Sequence, residues 1–312
     1  MSLQIVRAGP LTTVQDLGRT GYGALGIPAS GAMDALALRL ANRLVGNPEH
    51  SAALEFTLAG PELRFAADHW AAITGSRFEV ALDERMMPHA ESFPVGRGKT
   101  LKIGRSLEGA RGYLAVSGGI DVPLLLGSRS TFAAGGFGGL EGRPLRGGDR
   151  LPIGTHPGEA RRRRLVRSVL PAYGAETELR AIPGPQTEAF TAGGAEAFFA
   201  AGYRVSSRSD RMGLRLEGPA IAHARGADLL PEGLAPGAVQ VPADGQPIVL
   251  AVDRPTTGGY AKIATIITAD LWRVGQAKPG DRLRFAAVSV DEARALYRTL
   301  EELLPSAVED AG

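Results

Sequence analysis

Four polar, glycine-rich stretches carry the residue types that chemistry on a small ligand needs. The first runs from Gly9 to Tyr22, reading Gly-Pro-Leu-Thr-Thr-Val-Gln-Asp-Leu-Gly-Arg-Thr-Gly-Tyr, and continues from Gly26 to Asp34. The second runs from Gly127 to Arg143 and the third from Ser209 to Gly218. The fourth joins Pro236–Pro247 to Asp253–Lys262. Glycine lets backbone N–H groups approach a ligand closely, and Arg, Gln, Thr and Asp supply directional hydrogen bonds. Such loops suit a small polar ligand with carbonyl or carboxylate oxygens. The plainer reading is a set of barrel turns, where Gly and Asp serve positive φ. Turns alone do not ask for Arg, Gln and Thr in the same stretches, so the ligand reading is preferred.

Within the blocks, Asp16–Arg19 and Asp253–Arg254 read first as ion pairs that tie a loop. Met33 and Met212 occupy matching positions and read as core fillers. Lys262 follows a Gly-Gly-Tyr turn on a predicted strand, with its amine either at a barrel mouth or lining a pocket. Phe137, with glycines on both sides, is hard to bury as core and suits a mobile cover over a ligand.

Other motifs fail on inspection. Gly98-Lys99-Thr100 ends like a phosphate-binding loop, but the required first glycine falls on Phe93. Gly135–Gly139 lacks the third glycine and the strand–helix frame of a dinucleotide fingerprint. Ser117 misses the first glycine of a nucleophile elbow. His50, His69, His89, His156 and His223 are scattered singly, so no metal site is expected.

The elements that must position these blocks follow from the bulk of the chain. Its 312 residues exceed the size at which one core usually stops growing, so two domains are expected. With 44% hydrophobic and 22% charged residues, the chain belongs with ordinary globular proteins. Frequent turns, from 42 Gly and 21 Pro, lean toward short strands over a helical bundle. A net charge of +2 with pI near 9.0 reflects a small arginine surplus. Arg161–Arg164 is the one dense basic run; it reads as a solvated linker rather than a polyanion contact, and no nucleic-acid partner is expected. Cysteine is absent, which excludes disulfides and thiolate chemistry. The start of the chain lacks a secretory signal and the longest uncharged run is short of the ~18 residues a membrane helix needs, so a cytoplasmic protein without membrane partners is expected.

The two halves resemble one another. Leu3–Thr12 matches Leu179–Thr187, and Gly21-Tyr22 with Ser30–Met33 matches Gly202-Tyr203 with Ser209–Met212. Ala110–Asp121 answers Gly258–Asp270, and Gly148–Leu151 answers Gly280–Leu283. The expected fold is mainly β with a few helices, arranged as two β-barrels from an internal duplication. The predicted division is a first barrel over 1–155, a linker over 156–177, a second barrel over 178–288 and a C-terminal helix and tail over 289–312. Strands are predicted at 54–58, 70–74, 78–82, 100–103, 112–116, 248–252, 262–268 and 282–288. Helices are predicted over 32–44, with Ser30 as N-cap, and over 289–304, opened by a capping signature and stopped at Pro305.

Read together and in this order, the four blocks resemble the family of the C subunit of bacterial 5-oxoprolinase, also called allophanate hydrolase subunit 2. That family is similar to the carboxyltransferase domain of urea carboxylase. The likeness spans about residues 5–295 and is most specific at Gly9–Arg19 and Ser128–Arg143. Its departures, Trp272 and Ala277, touch no polar candidate. The resemblance implies two cyclophilin-like β-barrels. It further implies one component, inactive alone, of a hydrolase that opens the 5-oxoproline lactam to glutamate together with subunits A and B, with the B subunit as the most direct partner. ATP would be a cosubstrate of that complex, and the substrate is a small amide-like molecule. On the motif positions, Asp16 and Glu141 are candidate proton handlers, with Arg19, Arg129 and Arg211 candidates for anion or carbonyl binding. Substrate contacts are expected from Gln15, Ser30, Ser130, Phe137, Gly138, Ser209, Gln240, Asp253, Thr256, Thr257, Tyr260 and Lys262. The alternative within the family is a carboxyltransferase acting on urea or a related amide, with biotin on a separate carrier. No biotin-attachment signal occurs in the chain, which favours the lactam hydrolase. A further alternative is a non-catalytic regulatory partner of a kinase inhibitor.

Overall fold

The two largest hydrophobic clusters among the described residues lie one in each of two units. The computed structural model describes residues 1–155, 161–169 and 171–311. Of the expected linker over 156–177, residues 156–160 and 170 lie outside the described residues. One unit comprises Met1–Arg19, Ser30–Ala172 and Leu303–Gly312; the other comprises Thr20–Ala29 and Tyr173–Glu302.

In the first unit the strands are β1 (Ser2–Arg7), β2 (Thr12–Gln15), β3 (Ala53–Thr57), β4 (Glu62–Phe65), β5 (His69–Gly75), β6 (Phe78–Leu82), β7 (Arg85–Met86), β8 (Ser92–Val95), β9 (Thr100–Ser106), β10 (Arg111–Val116) and β11 (Arg150–Pro152). They form a six-stranded sheet in the order β11-β1-β4-β9-β6-β7 and a five-stranded sheet in the order β2-β3-β10-β5-β8. Leu3, Ile5, Leu63 and Leu101 from the first sheet share a core with Leu54, Phe56, Ile73 and Leu114 from the second. β4 alternates buried and outward residues because one face meets solvent. β10 is buried along its whole length, because helix α1 (Ala35–Leu44) covers the other face of its sheet with Leu38, Ala41 and Leu44. Gly112 lies in β10 because a Cβ there would meet the Phe56 ring at 2.4 Å. Short strand β12 (Arg163–Leu165) pairs with the C-terminal segment Val308–Asp310. Arg161, Arg162 and Arg164, each more than half exposed, pair with Asp310, Glu91 and Glu309, so the basic run is solvated and lies along a paired strand edge.

The second unit closes seven strands into a barrel, β13-β20-β17-β18-β15-β14-β21. These are β13 (Glu176–Pro183), β14 (Gly202–Val205), β15 (Gly213–Glu217), β17 (Ala238–Gln240), β18 (Ile248–Leu250), β20 (Lys262–Ile266) and β21 (Arg282–Ala287). A separate ribbon joins β16 (Asp228–Gly233) to β19 (Thr257–Tyr260), and β22 (Val308–Asp310) ends the series. Leu179, Val239, Ile263 and Leu283 fill the barrel with Tyr203 and Phe285. Helix α2 (Ala192–Ala200) stacks Phe198 on Phe285 at 4.4 Å, α3 (Leu271–Gln276) follows, and α4 (Val290–Leu303) buries Ala293 beside Ile267. The α4 start is a capping box, with Ser289 N–H donating to Glu292 and Glu292 N–H donating back to Ser289 Oγ.

The fold is therefore mainly β, with four α-helices among the described residues. Only the second unit forms a closed barrel among them. The first, expected as a barrel too, is two sheets around a shared core, since no ladder joins their edges. The repeated Gly-Asp-Arg-Leu turns are locally alike: Gly148 and Gly280 have φ 95 and 94, and each following aspartate accepts from the amide three residues before it. The pairing after them differs, antiparallel for β11 with β1 and parallel for β21 with β13.

Candidate functional site

In the first unit, the segment after β2 meets the loop 127–142 around one carboxylate. Asp16 Oδ1 accepts from Ser128 Oγ at 2.6 Å, from Ser130 Oγ and from Gly18 N at 2.8 Å. Its Oδ2 accepts from Arg129 N at 2.6 Å. An ionised carboxylate only accepts hydrogen bonds, and these four donors are all supplied by the chain. Asp16 thus fixes the backbone at 128–130 instead of simply pairing with its neighbour Arg19. Arg19, buried, donates to the Ser130 carbonyl, and its guanidinium carbon lies 5.0 Å from the Phe137 ring centre.

The rest of the loop packs onto this frame. Ser30 Oγ and Gln15 Nε2 both donate to the Thr131 carbonyl, at 3.1 and 3.2 Å. Ser30 is therefore a loop tie; the N-cap of α1 is Asp34, whose carboxylate accepts from Ala37 N at 2.8 Å. The Gln15 amide is oriented by Thr131, since a carbonyl there requires the nitrogen side. Its Oε1 is buried without a hydrogen-bond partner among the described residues. Phe137 stacks edge-on against Phe132 at 5.4 Å, a packed ring. Gly138, at φ 73, passes so close to Ser130 that a Cβ would lie 2.0 Å from its carbonyl oxygen.

Arg129 and Glu141 stand at the edge of this cluster. The Arg129 guanidinium donates to the Val122 carbonyl at 2.8 Å and to Asp121 at 2.5 Å. Glu141, at φ 57 and largely exposed, pairs with Arg143, which also holds Asp149. Arg143 keeps the Asp149 carboxyl below its usual range. The loop thus brings Gln15, Asp16, Arg19, Ser30, Arg129, Ser130, Phe137 and Gly138 together, while Glu141 faces another ion pair. Ser128 and Thr131 belong to the cluster and were missed; both lie inside the second glycine-rich block, and their hydroxyls were the available signal.

A buried network next to α1 was missed as well. Tyr113 Oη donates to Glu55 Oε2 at 2.7 Å and accepts from Asp34 N at 2.8 Å, while Met33 N donates to the same Glu55 oxygen. Burial, reinforced by the nearby Glu55 and Asp34 charges, pushes the Tyr113 phenol well above its ordinary range. This network fixes the 33–34 backbone at the end of the first block. Met33 is buried, as a core filler should be; Met212 is exposed, which corrects the matching expectation.

The second unit carries two further groupings. Asp253 pairs with Arg211 and not with its neighbour Arg254: Nε–Oδ2 is 2.8 Å and Nη2–Oδ1 is 3.2 Å. Arg254 instead donates to the Leu234 and Ala251 carbonyls. Lys262, buried on β20, holds Glu232 of the ribbon through its ammonium. Gln186 bridges the two, donating to Glu232 at 2.6 Å and accepting from Lys262 N at 3.1 Å. Lys262, then Gln186, keep the Glu232 carboxyl below its usual range. Gln240 Nε2 reaches the Tyr260 carbonyl at 3.4 Å, within the same neighbourhood. Ser209 is taken up by Arg215 in a turn, and Thr256 offers its carbonyl to Leu234 N. Thr257 begins β19 and is exposed. Glu232 and Gln186 escaped the sequence reading because they lie outside the four blocks.

Among the described residues no three His, Asp or Glu side chains gather as a metal site, and no helix is long and apolar enough to cross a membrane. Polar loops on a mainly β frame, with arginine and lysine held by carboxylates, are what the chain offers to a ligand.

The chain belongs to the carboxyltransferase domain, subdomain A and B, family, whose model matches residues 25–287. It is 45% identical over 291 residues to the 5-oxoprolinase C subunit of Escherichia coli (strain K12), covering 93% of both chains. It is 36% identical over 326 residues to urea amidolyase of Saccharomyces cerevisiae, covering 98% of this chain and 18% of that protein. The crystal structure of the K. lactis urea amidolyase superposes with a TM-score of 0.94 at 35% identity, over 99% of this chain and 20% of the other. The chain thus spans about a fifth of those amidolyases' length.

Proposed function

We propose that this chain is the C subunit of a cytoplasmic, ATP-dependent 5-oxoprolinase that works with subunits A and B. The observation that carries this reading is the end-to-end match, at 45% identity over 93% of both chains, to a protein of that name. The lactam and urea share a planar N–C=O unit whose resonance makes it unreactive, which accounts for one fold serving both chemistries. In the complex, the lactam oxygen takes the γ-phosphoryl group of ATP and ADP leaves. Water then adds at the activated carbon, and the C–N bond breaks as its nitrogen takes a proton. A second water releases phosphate and leaves glutamate.

The residues of this chain fit a binding and positioning part in that sequence. Asp16 is surrounded by donors of its own loop, so its role is to hold Arg129–Thr131 in place and not to carry the proton. Glu232 is held by Lys262 and Gln186, and Lys262 beside it is a donor suited to a developing negative charge. The backbone of the one loop resembling a nucleotide cradle is already engaged: Gly98 N–H is taken up by the Phe65 carbonyl. ATP is therefore assigned to the complex.

The carboxyltransferase reading is supported by the urea amidolyase likeness. Purified chain combined with subunits A and B should form glutamate from 5-oxoproline only with ATP. Failure of that mixture, together with carboxyl transfer to urea from a carboxylated biotin carrier, would replace the first reading with the second.

A further inference from the structure

The outward face of the six-stranded sheet in the first unit carries a concave pocket of about 250 Å3, outside every polar block described above. Its lining includes Ser2, Gln4, Arg64, Arg97, Gly98 and Arg150. Three of these arise from strand register alone. Gln4 on β1 lies opposite Arg150 on β11 and opposite Arg64 on β4, so the three form one row across adjacent strands. Their sequence neighbours Leu3, Leu63 and Leu151 are fully buried on the other face, which fixes the row outward. Like charges directly opposite one another are destabilising, and the neutral Gln4 separates the two guanidinium groups.

Arg97 is brought to the same place by a turn. Its backbone N–H donates to Asp68 at 2.6 Å, Gly98 N–H donates to the Phe65 carbonyl at 2.7 Å, and Gly98 has φ 81. Arg64 Nε then donates to the Gly98 carbonyl at 3.3 Å, which ties the turn to the row. Neighbouring Lys99 is neutralised by Asp83 at 2.8 Å. Arg64, Arg97 and Arg150 have no ion pair among the described residues, whereas Arg161, Arg162 and Arg164 elsewhere in the unit each have one.

We infer that Arg64, Arg97 and Arg150 form a binding site for a compact multivalent oxyanion of the phosphate class. Guanidinium groups offer planar forked donors that match phosphate oxygens, and they stay charged across the whole working range of pH. Gln4 and Ser2 add neutral polar groups to the lining. The pocket falls below the ~300–1,000 Å3 of sites that enclose drug-sized ligands, so it suits inorganic phosphate or a single phosphate group and not a whole nucleotide. This inference does not depend on the lactam chemistry: the site shares no residue with the Asp16 and Lys262 clusters and would stand if that reading failed.

Titration calorimetry of the whole chain tests it, using inorganic phosphate, sulfate and glycerol phosphate in turn, with chloride at matched ionic strength as the control. One saturable site for phosphate is expected, competed by sulfate and not by chloride. Arg64→Gln and Arg150→Gln should each weaken it by roughly tenfold or more, as loss of charge-assisted hydrogen bonds does, and the double variant should abolish it. All three variants change outward side chains, so melting should stay with the parent chain and report intact folding. Equal or tighter binding of the monoester identifies the phosphate group of a larger molecule as the ligand, and binding of the inorganic ion alone identifies free phosphate. Absence of saturable binding into the millimolar range, or undiminished binding in a folded double variant, overturns the assignment.

Discussion

Replacing Asp16 by asparagine keeps the shape of the side chain and removes one acceptor atom. In the parent chain Oδ1 receives three donors and Oδ2 receives the Arg129 N–H at 2.6 Å. Asparagine must place its NH2 at one of these positions. With the oxygen kept toward Ser128, Ser130 and Gly18, the amide nitrogen meets the Arg129 N–H, donor against donor. Hydrogen bonds to a charged group are worth about 1.5–3 kcal/mol and neutral ones about 1 kcal/mol. One lost bond and weakening of the other three give a destabilisation of about 2–4 kcal/mol. For a unit of this size each kcal/mol moves the melting temperature by about 2–4 °C, so a drop of about 4–16 °C is expected. Calorimetry gives the size of the effect, and amide hydrogen exchange locates it, with Arg129 and Gly18 losing protection first. A D16N chain that melts within a degree or two of the parent, with Arg129 exchange unchanged, would refute the role of Asp16 as the pin of this loop.

Gly138→Ala forces a Cβ to 2.0 Å from the Ser130 carbonyl at φ 73 and should cost about 3 kcal/mol or more, read as a fall in the urea midpoint. Arg211→Met leaves the buried Asp253 carboxylate without its guanidinium partner and should cost about 3–5 kcal/mol, while a double change with Asp253→Leu should recover much of that loss. Burial pushes the Tyr203 phenol up to about 12, and its hydroxyl has no hydrogen-bond partner among the described residues. A folded pKa above the unfolded value of about 10 means a contribution present below pH 10 and lost as pH climbs toward 12, with a slope of up to about 1.4 kcal/mol per pH unit. Tyr203→Phe should therefore be neutral or stabilising at pH 7, and urea titrations between pH 9 and 11.5 should show a shallower alkaline decline than in the parent chain.

The parts of the fold that the sequence made legible are those with a local cause. Phe78–Leu82 is a strand where alternation places it, and α4 opens on the Ser289–Glu292 box that announces it. The start of α1 was misplaced because the 30–34 backbone is held by distant partners: Ala32 N–H donates to the Asp16 carbonyl, and Gly31 has φ 90. α2 was hidden by Gly193 and Gly194, which lower helix propensity, although Thr191 caps it. The second sheet of the first unit lacks alternation because both of its faces are covered, so its shape could not be read from period two. At the site, block membership picked out Asp16, Ser130 and Gly138 together, but their pairing was invisible. Asp16 finds its partners 112 to 114 residues on and not at the nearby arginine that spacing suggests. Asp253 went astray for the same reason, since Arg211 lies 42 residues before it. Short spacing is a weak guide to ion pairs where loops from separate strands converge.

Membership of the 5-oxoprolinase is tested most directly by titrating this chain into fixed amounts of subunits A and B and following glutamate formed from 5-oxoproline in the presence of ATP. The rate should rise with added chain, saturate near a fixed molar ratio and vanish without ATP. Full activity from subunits A and B alone, unchanged on adding the chain, would contradict its place as a working part of that enzyme.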